Sequence, residues 1–381
     1  MSTQVKFFFG QVIFTISIAM KRAVLCVSNP WDYYDQLQDW SIMTVNPDNT
    51  PARQKYLLDH SDWSMKITPE GVEYREGGDY KNEKIYAYTS GTTGDSKFYS
   101  FNQDQMDHCV DRMIQSYELT ANDRYVGIMP LWHAHGQAFY WATKKIKCET
   151  HFTSVAGLRN MPDYHPTFIT GVPDILKTVS QLNFDSLRFI RSASSAMPNW
   201  LYKDLVDRFK VPVIEAFGMT EAYSHCFTNP LHGEQRMGTV GLPDGVEARI
   251  ENDHLMIRGP SVVRDDWFDT GDLAERDSAG YYRILGRSVD QLNIKGKKFN
   301  PSSLESQLLQ RLPEIKECVI FGDRTLNCLY VGDCDPKEIQ KFLLSLDSHL
   351  RPALLQKTDE IPLKYPGKIS RPYLKTMFNC Q

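Results

Sequence analysis

The chain has 381 residues, with 43 basic and 47 acidic side chains and a formal net charge of −4. This balance gives no electrostatic basis for binding nucleic acid, and a hydrophobic content of 41% fits a soluble protein of two or three globular units. The eight cysteines are scattered without a C-x-x-C pair, so we expect reduced thiols and a cytoplasmic location.

Residues 5–20 are mostly apolar, but Lys6 and Gln11 interrupt them. The stretch is short for a membrane span and lacks a clear small-residue cleavage site, so no stable membrane insertion is expected. We predict a buried strand or hairpin here. Met20 as the true first residue is an open alternative.

From residue 85 onward, strand-like and helix-like segments alternate. Strands are predicted near residues 85–89, 125–129, 151–154, 167–170 and 187–192, and helices over 103–117, 174–181 and 199–208. Such alternation predicts an α/β fold with partly parallel sheets. Short strands and turns at 240–285 indicate a small antiparallel or barrel-like unit. We therefore predict a large domain of packed sheets and helices over 1–286, a hinge at 287–290, and a small mobile α+β domain over 291–381.

The segment with the clearest chemistry spans residues 88–100. A predicted strand runs into the polar residues Thr89, Ser90, Gly91, Thr92, Thr93 and Gly94. Glycines let successive backbone N–H groups point at one anion, hydroxyls add donors, and Lys97 supplies a compact positive charge. The spacing differs from that of P-loop nucleotide-binding proteins, because Lys97 lies three residues beyond Gly94. Taken alone, the segment is either a phosphate-binding loop or a polar surface turn.

The string T-S-G-T-T-G-x-x-K resembles the signature loop of the ANL superfamily of adenylate-forming enzymes. That superfamily comprises acyl- and aryl-CoA synthetases, peptide-synthetase adenylation domains and beetle luciferases. Further segments similar to the family motifs follow in the family's order: PLWHAHG at 130–136, GVP at 171–173, SASSAMP at 192–198, EAFGMTE at 215–221, TGD at 270–272, GR at 286–287 and PGKISR at 366–371. Fewer residues precede Thr89 than in typical members, which implies a reduced N-terminal subdomain.

The resemblance implies a role for each matching residue. The nucleotide-binding residues would be Thr89, Ser90, Gly91, Thr92, Thr93, Gly94, Lys97, Ser194, Ser195, Ala196, Phe217, Gly218, Met219, Asp272, Ile284 and Arg287. Within this set Phe217 would face the adenine, and Asp272 and Arg287 would contact the ribose. The catalytic residues would be Lys368, Thr220, Glu221 and His133, with Glu221 holding Mg²⁺.

The same resemblance implies a pocket for the acid. Its residues would be His133, Ala134, Gly136, Gln137, Gly171 and Val172, and Gln137 could bind a polar substituent. Enzymes of the family that activate α-amino acids carry an aspartate at the position of Ala134, so an α-amino acid substrate is disfavoured. At the hinge, Val289 stands where the family usually has Asp or Lys.

The expected activity is ATP-dependent conversion of a carboxylic acid, acyl or aryl, to its acyl-AMP with release of pyrophosphate. The acyl group then passes to the thiol of CoA or of carrier-protein phosphopantetheine. Expected partners are the acid and CoA or an acyl carrier protein, without nucleic acid; expected cofactors are ATP and Mg²⁺. The alternative is a catalytically degenerate ATP- or acyl-binding protein of the same fold, which the matching Lys97, Glu221, Asp272, Arg287 and Lys368 disfavour.

Overall fold

The computed structural model describes residues 3–9, 12–18, 22–27, 30–34, 36–37, 40–61, 63–74, 83–89, 97–362 and 370–378. The α-helices in this part of the chain are α1 (Trp31–Tyr34), α2 (Pro51–Asp59), α3 (Gln103–Ser116), α4 (Ala134–Ile146), α5 (Pro173–Val179), α6 (Asn199–Phe209), α7 (Pro301–Arg311), α8 (Pro336–Leu346) and α9 (Arg371–Met377). Segments of 3-10 helix cover Val155–Tyr164, Thr220–Ala222 and Ser288–Asp290.

The strands of the first half are β1 (Thr3–Phe9), β2 (Val12–Ile18), β3 (Arg22–Leu25), β4 (Ser41–Thr44), β5 (Met65–Thr68), β6 (Gly71–Tyr74), β7 (Ile85–Tyr88), β8 (Phe98–Phe101), β9 (Arg124–Gly127), β10 (Glu149–Phe152), β11 (Phe168–Gly171) and β12 (Phe189–Ser192). Those of the second half are β13 (Val213–Phe217), β14 (Phe227–Thr228), β15 (Leu242–Pro243), β16 (Glu247–Glu251), β17 (His254–Arg258), β18 (Phe268–Arg276), β19 (Tyr282–Arg287), β20 (Leu292–Ile294), β21 (Lys297–Phe299), β22 (Ile315–Phe321), β23 (Leu326–Gly332) and β24 (Pro352–Lys357).

Two large sheets form the body of the molecule. One has the strand order β6-β5-β3-β4-β7-β8, and the other has the order β10-β9-β11-β12-β13-β14-β15. In the second sheet, β9 to β13 pair in parallel, while β14 and β15 are antiparallel. Parallel strands need crossover connections, and helices α4, α5 and α6 supply them. The predicted α/β fold is confirmed.

One apolar core joins the two large sheets. Aromatic rings from neighbouring parallel strands stack in its centre: Tyr125 on Phe168 with centroids 5.0 Å apart, and Phe168 on Phe189 at 5.2 Å. All three side chains are buried, and the cluster extends to Ile42 and Phe101 of the other sheet. Stacked aromatic rings bury large apolar areas, so this core sets how the sheets face each other.

A smaller antiparallel sheet follows, with the order β16-β17-β18-β19. Of the antiparallel and barrel-like forms that the sequence left open, the structure has the antiparallel one. Among the described strands β16 does not pair with β19, so the sheet is open. Four strands would leave too narrow an interior for side chains to fill a closed barrel.

Residues 292–377 build a separate core. It contains the hairpin β20–β21, the three-stranded sheet β22-β23-β24 and helices α7 to α9. Arg371 anchors the start of α9 to this unit, since its Nη2 donates to both carboxylate oxygens of Glu305 at 2.8 and 2.9 Å. Across to the body of the molecule, Lys177 of α5 forms an ion pair with Glu317 of β22. The division of the chain at 287–290 stays a prediction.

The predicted hairpin near the start of the chain forms, because β1 pairs antiparallel with β2 from Thr3–Ile18 to Phe9–Val12. In the described part of the chain, no helix has both the length and the apolar character that crossing a membrane requires.

Candidate functional site

Three of the predicted site segments lie at the carboxyl edge of the seven-stranded sheet. Strand β11 ends at Gly171, β12 ends at Ser192, and β13 ends at Phe217. Because parallel strands present their carboxyl ends at one edge, motifs that are far apart in the sequence meet here.

Phe217 and Gly218 form the end of β13. A Cβ at Gly218 would lie 1.1 Å from the carbonyl oxygen of Ser224, so only glycine fits this close backbone approach. Phe217 is half-buried and shares an apolar cluster with Ile284 of β19 and the buried Met219. The structure thus places three of the predicted nucleotide-binding residues, Phe217, Met219 and Ile284, in one cluster.

Glu221, the predicted metal ligand, lies in the 3-10 helix that follows. Its backbone carbonyl accepts a hydrogen bond from Val263 N at 2.9 Å, which holds the turn against the next segment. Tyr99 of β8 lies next to Glu221. Burial and the neighbouring Glu221 carboxylate raise the pKa of the Tyr99 phenol. Since Tyr99 lies two residues beyond Lys97, Glu221 lies close to the start of β8 and to the predicted phosphate segment.

Residues 90–94 and Lys368 lie outside the described residues, so Ser90, Gly91, Thr92, Thr93, Gly94 and Lys368 stay predictions. The residues on either side of 90–96 are described. Thr89 N donates to the Lys97 carbonyl at 2.9 Å, and Lys97 N donates to Thr89 Oγ1 at 3.3 Å. These bonds extend the β7–β8 pairing and place both predicted residues side by side.

Asp272 and Arg287 face each other across β18 and β19, where the register pairs them directly. Arg287 Nε forms an ion pair with Asp272 Oδ1 at 2.9 Å, and Arg287 Nη1 donates to the Thr270 carbonyl at 3.0 Å. Asp272 is 4% exposed, and its buried Oδ2 has no hydrogen-bond partner among the described residues. Burial raises the pKa of Asp272 to about 6, against the opposing effect of Arg287. A buried carboxylate oxygen with no donor is rare, and it fits a ligand that brings hydroxyl groups.

The turn after β12 is exposed at Ser194, Ser195 and Ala196. Ser194 adopts a left-handed conformation with φ of 73°. That conformation is sterically costly for residues other than glycine.

The predicted acid-pocket residues lie on α4 and between β11 and α5. His133 is half-buried at the N-cap position of α4, Gly171 ends β11, and Val172 is the N-cap of α5. Gly136 is closely packed, since a Cβ there would lie 2.3 Å from the Pro130 carbonyl oxygen. Gln137 is 2% exposed and donates to the Leu131 carbonyl at 2.8 Å, within the protein core.

His135 lies against the ends of β11 and β12, although the sequence did not single it out. Its Nε2 lies 2.6 Å from Thr170 Oγ1 and 3.0 Å from Arg191 Nη1. The segment P-L-W-H-A-H-G contained two histidines, and the helical period was the signal that could have separated their directions. Among the described residues, no group of three or more His, Cys, Asp or Glu side chains could hold a metal by itself.

Glu215 of β13, two residues before Phe217, is a buried carboxyl group whose protonation can be tested. It is 8% exposed, and its Oε1 accepts from Gly238 N at 2.6 Å. Burial raises the pKa of Glu215 to about 7 from 4.5, against the effects of the Gly238 bond and of Arg283. Below about pH 4.5, the ordinary pKa of Glu215, its protonated carboxyl contributes fully to the stability of the folded state. That contribution is lost as the pH rises through about 7.

The free energy of unfolding of Glu215→Gln, relative to that of the wild type, is therefore expected to be higher at pH 8 than at pH 4 by up to about 3 kcal/mol. Urea unfolding of both proteins at pH 4, 6 and 8 measures this. The same stability difference at all three pH values would contradict a buried, largely neutral Glu215 carboxyl.

Known proteins with similar sequences are AMP-binding enzymes and CoA ligases. The family model of AMP-binding enzymes matches residues 79–265. An oxalate–CoA ligase of Arabidopsis thaliana is 28% identical over 339 residues, which cover 75% of this chain and 66% of that protein. A malonate–CoA ligase of the same plant is 29% identical over 302 residues, covering 65% of this chain and 49% of that protein. The chain thus spans between about half and two-thirds of the length of these relatives.

Among solved structures, ATP-bound MatB from Rhodopseudomonas palustris superposes with a TM-score of 0.84 at 19% identity, covering 95% of this chain and 89% of that one. The fold is therefore that of MatB. Together, the family match and the ordered motifs confirm the resemblance to AMP-binding enzymes that the sequence indicates.

Proposed function

We propose that this protein activates a carboxylic acid with ATP and transfers the acyl group to the thiol of CoA. The observation that carries the proposal is the buried Asp272 carboxylate, which pairs with Arg287 and has one oxygen without a partner in the part of the chain that the structure describes. Two ribose hydroxyls would donate to it, while Phe217 and Ile284 would receive the adenine.

In the first half-reaction a carboxylate oxygen attacks the α-phosphorus, a new P–O bond forms, and the bond to pyrophosphate breaks. No general base is required, since the acid is ionised at neutral pH. Thr220 would donate to the α-phosphate, and Lys97 and Lys368 would offset charge that develops on the phosphate oxygens. In the second half-reaction the thiolate sulfur attacks the acyl carbonyl and AMP leaves.

Glu221 fits a magnesium ion of the kind that nucleotide sites use. Mg²⁺ in such sites is held by one or two carboxylates together with phosphate oxygens, and Glu221 is a half-buried carboxylate near the predicted phosphate segment. When bound, the ion would neutralise phosphate charge.

CoA is favoured over a carrier protein as the acceptor because the two plant relatives are named CoA ligases. Their named acids, oxalate and malonate, each carry two acidic groups. The free cysteines, which are mostly buried, fit the reducing environment of the cytoplasm, the compartment we propose.

The test is pyrophosphate release from ATP with a panel of carboxylic acids, followed by mass spectrometry of the products formed with CoA or a phosphopantetheinylated carrier protein. Acid-dependent release together with an acyl-CoA mass is expected. ATP binding without release for any acid would replace this proposal with the degenerate binding protein.

A further inference from the structure

The turn that follows the 3-10 helix Thr220–Ala222 has a strained backbone. Its residues Tyr223 and Ser224 have φ values of 48° and 95°, in the left-handed region that residues other than glycine rarely adopt. Such conformations cost free energy and persist only where the surrounding structure holds them. The turn comes directly after Thr220 and Glu221, which the proposed function places at the phosphates and the magnesium ion. Whatever holds the turn therefore also fixes the position of these two residues.

Backbone hydrogen bonds hold this turn against the end of β13. Ser224 N donates to the Met219 carbonyl at 2.9 Å, and Cys226 N donates to the Phe217 carbonyl at 3.1 Å. Strand β13 ends at Phe217, which is paired with Phe227 of β14. The sheet therefore fixes Phe217 on the adenine side, while the 3-10 helix beyond the strand depends on the turn.

A buried hydrogen bond anchors the residue that comes next, His225. Its Nε2 lies 2.7 Å from Oδ2 of Asp244, the residue after β15, and both side chains are buried. A carboxylate can only accept, so Nε2 carries the proton and donates it. Asp244 also accepts from Arg112 Nε at 2.8 Å and from the Ser116 hydroxyl, both on α3. Helix α3 thus holds Asp244, and Asp244 holds the imidazole at the end of the strained turn.

We propose that His225 and Asp244 are positioning residues for the first half-reaction, because they hold the strained turn that sets Thr220 and Glu221 against the phosphates. The inference rests on the proposed function and adds two buried residues to it. A carboxylate that holds a metal ion depends for its orientation on the groups behind it. A displacement of about 1 Å at the reacting groups can lower a rate by about 100-fold. Loosening the turn should therefore affect the phosphate side of the site and leave the nucleoside side unchanged.

The first experiment measures ATP binding with and without Mg²⁺ by titration calorimetry in the wild type, Asp244→Asn and His225→Leu. Asparagine removes the charge that His225 and Arg112 share, and leucine cannot donate to Asp244. The gain in ATP affinity that Mg²⁺ provides is expected to fall by about 10-fold in both variants. The affinity for adenosine, which has no phosphate, should match that of the wild type, since Phe217 and Asp272 lie on paired strands.

Kinetics assign the effect to one half-reaction. In Asp244→Asn and His225→Leu, kcat for acid-dependent pyrophosphate release should fall by about 100-fold. Thioester formation from supplied acyl-adenylate should match that of the wild type, since no pyrophosphate takes part in it. His225→Gln should recover most of both losses, because its side-chain amide can donate to Asp244 as Nε2 does.

Asp123→Asn is the matched control, because Asp123 is also a buried carboxylate that accepts from an arginine and a hydroxyl, those of Arg188 and Thr167. Asp123 directly precedes β9, at the amino edge of the seven-stranded sheet and opposite the proposed site. This variant should lose stability to urea as Asp244→Asn does, but it should keep the wild-type kcat and the wild-type gain from Mg²⁺.

Equal losses of affinity for adenosine and ATP, or equal losses in both half-reactions, would show a general structural role of His225 and Asp244 and overturn the inference. Wild-type kcat and Mg²⁺ gain in both variants would overturn it as well, while the proposed function would stand. No pyrophosphate release by the wild type with any acid of the panel would overturn the proposed function and this inference with it. If His225→Leu does not fold, Asp244→Asn decides.

Discussion

Asp272→Asn is expected to weaken ATP binding by about 100-fold, because an amide removes the charge that Arg287 and the ribose hydroxyls would share. In the wild type, Oδ2 is buried and has no partner within the described segments, while Oδ1 forms an ion pair with Arg287 Nε at 2.9 Å. The amide nitrogen of the variant would present hydrogens where one of these donors approaches. Titration calorimetry with ATP measures the change.

Asp253→Asn is the matched control, since Asp253 is exposed in the β16–β17 turn and has a left-handed φ of 66° that asparagine tolerates. It should bind ATP as the wild type does. Unchanged affinity in Asp272→Asn would remove the ribose role from this residue.

The pH dependence of nucleoside binding provides a second test of the proposed ribose-binding role of Asp272. Its pKa is about 6 in the free protein, so it is largely neutral below that pH. Hydroxyl donors favour the ionised form, and binding should therefore release a proton. The affinity for adenosine, which carries no titrating phosphate, is expected to rise with pH up to about 6 and then level off. Asp272→Asn should lose this dependence; a dependence that persists in the variant would contradict the assignment to Asp272.

Lys368→Ala is expected to lower acid-dependent pyrophosphate release by about 1,000-fold while leaving thioester formation from supplied acyl-adenylate within a fewfold of wild type. The physical reason is that a lysine between the carboxylate and the α-phosphate stabilises charge only in the first half-reaction. Arg371, three residues beyond, is anchored on Glu305 and on the Ile320 carbonyl, which ties the end of the PGKISR segment to the C-terminal unit. With Lys368 in that role, we expect this unit to move between the half-reactions.

Lys375→Ala serves as the control, because Lys375 lies on α9 and pairs with Asp323 on the surface of the same unit. Both half-reactions should survive in it. Equal loss of both half-reactions in Lys368→Ala would argue against rotation of the C-terminal unit between them.

Much of the local structure followed from sequence pattern. The predicted helix over 103–117 is α3 at Gln103–Ser116, and that over 199–208 is α6 at Asn199–Phe209. Helix α4 was not predicted, since its first turn contains His135 and Gly136, which are weak helix formers. Burial of nine of its residues in the core stabilises it instead.

The sequence by itself indicated the resemblance to AMP-binding enzymes, through short motifs in a fixed order, and the α/β class, through alternating strand-like and helix-like segments. The roles of the nucleotide residues stay a prediction. Only the tertiary structure decided which side chains share a site. The register of β18 on β19 sets Asp272 against Arg287, and the 3.6-residue helical period turns Gln137 into the core while His135 faces Arg191, 56 residues away. Such contacts depend on strand pairing and helix rotation between distant segments, which neighbouring residues do not encode.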